Sequence, residues 1–81
     1  MSKVMTITVT AEWDPEAAVW VATSDDLPGL VTEAATQEEL WRKLTVMIPE
    51  LLEESGVAVT DLEAEVTVRS ERVTRIPLRA A

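Results

Sequence analysis

The chain has 81 residues, with fifteen Asp and Glu against seven Lys and Arg, a formal net charge of -8, and neither Cys nor His. A chain this short forms one domain that hides only about 60% of the surface its unfolded form exposes. Without thiols or imidazoles it can recruit neither disulfides nor a typical zinc site, which leaves association with further copies as the remaining support. The same absences exclude thiolate nucleophiles and histidine general bases, while the negative charge disfavours nucleic acid and anionic membranes and favours basic partners.

From Val4 to Trp13 the odd positions Met5, Ile7, Val9, Ala11 and Trp13 are apolar and the even positions Thr6, Thr8, Thr10 and Glu12 are polar, which predicts a strand with one buried face. Asp14, Pro15 and Glu16 carry turn chemistry, so a hairpin into Ala17–Thr23 is expected. In that second strand Val19 and Val21 point one way and Trp20 and Ala22 the other. Ser24, Asp25 and Asp26 interrupt it, and Leu27, Pro28 and Gly29 turn the chain into a short third strand at Leu30–Ala34.

Thr36 to Gly56 holds the one long helical pattern. Leu40, Leu44, Met47, Ile48, Leu51 and Leu52 recur at spacings of three and four, while Arg42, Lys43, Glu50, Glu53 and Glu54 fall outside the stripe. Thr36 with Glu39 signs the start and Gly56 the stop. Pro49 interrupts the pattern and predicts a kink at Thr45–Pro49. The stripe is expected on the odd face of the first strand, since about 18 helical residues span roughly 27 Å and ten strand residues roughly 34 Å.

After a connection from Gly56 to Leu62, Ala64, Val66 and Val68 alternate with charged and polar residues as a fourth strand. The phase slips at Ser70–Arg72, where a bulge or bend is expected to let the tail leave its own sheet. All carboxylates but Glu71 precede Val68, whereas Arg69, Arg72, Arg75 and Arg79 follow it, so an acidic body meets a basic tail. The expected fold class is α+β in the order βββαβ: a three-stranded antiparallel meander, one helix on one face, and a fourth strand after the helix. The face left bare is expected to carry Trp20 and Ala22. Trp13 and Trp41 are expected in the core, with Trp20 divided between core and interface.

No apolar run approaches the roughly 20 residues of a membrane span, and MSKVMTITVT alternates instead of forming a signal-peptide core, so a cytoplasmic protein is expected. Asp25 and Asp26, with Asp14 and Glu33 nearby, lack the spacing of a calcium loop and read as a solvated turn, so neither metal nor cofactor is expected. Gly29 and Gly56 are the only glycines, which leaves no phosphate-cradling loop.

The run AEWDPEAAVWVATSDDLPGLVTEAATQEEL resembles the bacterial HicB-like antitoxin family, within it a stand-alone subgroup of unassigned function. The family pattern is a first strand ending in an acidic residue, a short turn, a second strand, an S-D/E-x-P-G loop, a third strand ending near Glu, and a T-x-E-E-A/L helix start. Here those places are Glu12, Asp14 to Glu16, Val19 to Thr23, Ser24 to Gly29, Glu33, and Thr36 to Leu40. The resemblance covers residues 4 to 56 well and the fourth strand loosely. It implies a partial ribonuclease H-like fold, and a partner of the HicA type, a small basic toxin that cleaves RNA. Many such proteins carry a separate DNA-binding module; the expectation here is a single HicB-like domain over 1–81 without one, and no direct contact with nucleic acid.

The leading expectation is a non-catalytic, antitoxin-like binding protein, a dimer or tetramer, that neutralises its partner by occlusion. Trp20, Asp25, Asp26 and Glu33 are the candidate partner contacts, and Val66, Val68, Val73 and Ile76 the candidate self-association residues. The second expectation is an oligomeric structural or ligand-binding domain with no toxin partner. The third is a metal-dependent ribonuclease, for which Glu12, Glu38 and Glu39 would be a thin set of carboxylates.

Overall fold

Strand alternation at the start of the chain becomes β1, Lys3–Asp14, in a computed structural model that describes residues 3–79. β2 (Val19–Thr23) and β3 (Val31–Ala34) follow, then α1 (Gln37–Glu54) and β4 (Leu62–Glu71). The four-stranded sheet has the order β3-β2-β1-β4. β1 and β2 pair antiparallel, as do β2 and β3, whereas β4 lies parallel to β1. A parallel neighbour needs a long crossover, and α1 provides it. The expected βββαβ order of an α+β domain is the observed one.

One face of the sheet and one stripe of the helix make the core. Ile7, Val9 and Ala11 from β1 and Ala22 from β2 meet Leu40, Leu44, Ile48 and Leu52, which recur at every fourth helical position, and Leu27, Leu30 and Ala34 complete the cluster. The helix lies nearest β3 and β2. Small Ala22 and Ala34 beneath it permit that approach, and the outer strand β4 receives less cover.

Cross-strand register corrects one expectation. Trp13 faces Trp20 and Ala11 faces Ala22 across the β1–β2 ladder, and directly opposed residues share a face, so Trp20 and Ala22 lie on the helix side. Ala22 is fully buried there, and Trp20 packs edge-on to Trp13 with ring centroids 5.4 Å apart. The other face carries Thr6, Thr8, Thr10, Val19 and Val21 with their charged neighbours, and is polar. Phase within a five-residue strand follows from its partner's register, which the alternation of β2 alone does not reveal.

Both helix ends form as the sequence dictates. The Thr36 hydroxyl accepts from the Glu39 amide at 3.1 Å. At the other end Gly56, at φ 83°, lets its own N–H reach the Glu53 carbonyl and that of Val57 reach the Leu52 carbonyl, both at 3.0 Å. Gln37–Glu54 is one unbroken helical element with Pro49 inside it.

Beyond Glu71 the chain leaves the sheet, as the phase slip at Ser70–Arg72 predicts. Residues 72–79 form no strand or helix and are exposed throughout. Arg72 anchors the departure, its guanidinium 4.2 Å from the centroid of the Trp13 ring. The radius of gyration of 16.1 Å exceeds the roughly 12 Å of a close-packed chain of this length, and the longest extent is 62 Å.

Candidate protein-binding site

The Ser24–Asp26 loop is tied to the middle of β1. β2 ends at Thr23, opposite Thr10, so the Thr8 backbone has no strand beside it on that flank. Asp26 Oδ2 accepts the Thr8 N–H at 2.7 Å, and Ser24 Oγ donates to the Thr8 carbonyl at 2.6 Å. The Asp26 N–H closes the loop onto Ser24 Oγ at 3.2 Å. Two side chains thus stand in for the missing strand, and Asp26 is occupied structurally. Leu27–Leu30 then forms a tight turn with Pro28 in its second place and Gly29 at φ 90°, which delivers Leu27 and Leu30 into the core.

The polar sheet face is uncovered by the helix. Register lines up Glu71, Glu12, Val21 and Glu33 in one row across β4, β1, β2 and β3. Glu63 and Glu65 share this face farther along β4, and Arg69 falls between them and Glu71. Glu12, Glu33, Glu63, Glu65 and Glu71 are all exposed. Asp25 is exposed on the adjoining loop. Of the expected partner contacts, Glu33 therefore stands on the open face, Asp25 is exposed on the loop, Asp26 is engaged with β1, and Trp20 is half-buried on the opposite face. Glu12 and Glu71 were missed as companions of Glu33, because only register sets them in one row.

A second surface runs between α1 and β4 on the helix side. Trp41, Leu44, Thr45, Ile48, Pro49, Ala64 and Val66 enclose a cleft of about 230 Å³. It continues past Ile48, Pro49 and Ala64 to Leu52, Val59 and Leu62. Trp41, expected in the core, is 43% exposed and forms the cleft's wall, because the helix backbone sits over β2 and β3 and stands off from β4, which it touches at its first residue where Gln37 Nε2 donates to Ser70 Oγ at 2.8 Å. Val66 is half-buried on its floor and Val68 is half-buried against the core two residues on, whereas Val73 and Ile76 project on the tail at 81% and 74% exposure. Within one chain the expected self-association residues fall into these two separate groups.

Among the described residues no three carboxylates gather to hold a metal ion. No helix among them is long and apolar enough to cross a membrane. The molecule is thus a small α+β domain whose prominent features are an open acidic sheet face and an apolar cleft.

Residues 6–80 match the family described as a domain of unknown function, DUF1902, and the chain belongs to that family. It is similar to the hypothetical protein TTHA1013 from the extremely thermophilic bacterium Thermus thermophilus, at 58% identity and a TM-score of 0.67, over 91% of this chain and 100% of the crystallised one. Comparison with curated proteins gives no match.

Proposed function

We propose that the protein is a non-catalytic, cytoplasmic binding module that works as an oligomer and covers a small basic protein with its open sheet face. The observation that carries this is the row of Glu71, Glu12 and Glu33 across the uncovered face, with Glu63 and Glu65 beside it. A cationic surface laid on such a row exchanges water for opposite charge, which speeds encounter and makes binding sensitive to salt. The HicB-like pattern in residues 4 to 56 supports a HicA-type RNA-cleaving toxin as the partner, neutralised by occlusion of its RNA-contacting groups.

Co-expression with a small basic protein encoded beside this one tests the reading. Growth rescue by the unaltered chain and its loss in a Glu12→Lys, Glu33→Lys variant that still folds is the expected result. Rescue that persists in this variant would remove the open face from the account. If no protein partner is captured while a stable oligomer persists, the structural or ligand-binding alternative takes its place.

A further inference from the structure

We propose that two copies pair antiparallel through β4 about a two-fold axis at Ser70, each laying residues 72–79 along the other's β4 and over its cleft. This rests on the self-association part of the function proposed above; Glu65 and Glu71 would serve both the pairing and the open face, whereas Glu12 and Glu33 belong to the basic-partner part alone.

Among the described residues the outer flank of β4 is unpaired, since β4 ends the sheet. Lys3 is aligned with Leu62 and donates to the Asp61 carbonyl at 2.9 Å, so odd residues of this segment turn their backbone groups toward β1. Even residues of β4 therefore direct theirs outward. An uncovered edge of ten residues invites a second strand. The tail is suited to supply it: extended, off its own sheet, and bearing Val73, Ile76 and Leu78 at 81%, 74% and 92% exposure. Leaving from the Trp13 end of the sheet, the tail points away from its own cleft, which opens at Ala64 and Leu62 near the other end.

Charge and shape single out one register. With Ser70 opposite Ser70, Arg69 faces Glu71, Arg75 faces Glu65, and Arg79 comes level with Asp61 of the second copy. On the helix side Ile76 faces Ala64 and Leu78 faces Leu62, so both apolar side chains cap the cleft. Pro77 falls at an odd position, where its missing N–H points away from β4 and costs no ladder bond. A slip of one residue would turn Ile76 and Leu78 to the wrong face. The adjacent registers that keep the faces set Glu71 against Glu71 or Arg69 against Arg69, and like charges directly opposed are destabilising.

Sedimentation velocity of the full chain tests this, with circular dichroism to separate loss of pairing from loss of folding. The expected results are a dimer for the unaltered chain, a dissociation constant raised about tenfold or more by Arg75→Glu, and recovery when Glu65→Arg is added. The chain has no cysteine, so the two thiols of a Ser70→Cys variant would face each other across the two-fold, and a short bifunctional thiol reagent should link them into a covalent dimer. A monomer at all micromolar concentrations, or a dimer indifferent to Arg75→Glu and unlinked by Ser70→Cys, would overturn the proposal. Capture of a basic protein by the open face would survive that failure, so the two readings are separable.

Discussion

Asp26 shows how a residue that looks like a ligand can be part of the frame. Its carboxylate accepts the Thr8 N–H at 2.7 Å where β2 has already ended, so Asp26→Ala removes a charge-assisted bond to the backbone. We expect a loss of about 1–2 kcal/mol and a melting point lower by roughly 5–10 °C, measured by thermal denaturation. Asp25→Ala, on an exposed side chain, should stay within about 0.5 kcal/mol of the unaltered chain. Comparing the two separates structural from partner-binding roles within the Asp25–Asp26 pair. Nearby, Gly29 at φ 90° tolerates no side chain without strain, although the nearest outside atom, Leu51 Cδ2, would lie an ordinary 3.7 Å from an added Cβ. Gly29→Ala should therefore destabilise by about 1–2 kcal/mol through its backbone alone. The turn residues and the Thr36–Glu39 cap were legible in the sequence because their chemistry is local. The bond from Asp26 was not, since its partner lies 18 residues upstream.

Among the elements, the helix was the most legible and β2 the least. Leu40, Leu44, Ile48 and Leu52 mark the buried stripe without outside information, and Leu44→Ala should cost about 2–5 kcal/mol by the cavity it leaves, read by denaturant unfolding. Pro49 is a different case. It lies within a continuous helix and deprives the Thr45 carbonyl of its amide partner, while the Thr45 hydroxyl turns back to the Trp41 carbonyl at 2.8 Å. Pro49→Ala should stabilise the domain, by up to about 3 kcal/mol, in the same measurement. Pro49 also lines the cleft, so a loss of dimer alongside this gain would identify it as shaping the surface that Ile76 and Leu78 cover. The direction of Trp20 and the exposure of Trp41 depended on tertiary placement, first by register with β1 and then by where α1 crosses the sheet, and neither is encoded in local periodicity.

At the scale of the molecule, the division between acidic body and basic tail acquires a spatial meaning. The body presents Glu12 and Glu33 on an open face, and the tail carries Arg72, Arg75 and Arg79 beyond the end of β4. If arms are exchanged between copies, unfolding and dissociation are linked, and the thermal midpoint should rise with protein concentration in scans from micromolar to hundreds of micromolar. A midpoint independent of concentration would mean that the arms contribute nothing to stability. The overall order βββαβ could be read from the sequence, as could the tail's departure. The open face's composition could not, because it is assembled from residues on all four strands that only the ladder aligns.

The parallel pairing of β1 with β4 also governs how the chain must come together. Lys3 meets Leu62 and Glu12 meets Glu71, so the longest ladder joins segments roughly 60 residues apart in a small protein. Such distant closure is entropically late, and folding should proceed in milliseconds to seconds, well short of the microsecond rates of helical bundles. A nascent polypeptide that has emerged only as far as the helix lacks β4, the partner for one whole flank of the first strand. Until β4 arrives, that flank is an unpaired strand edge of the kind that templates pairing between chains, and refolding yield should fall as protein concentration rises.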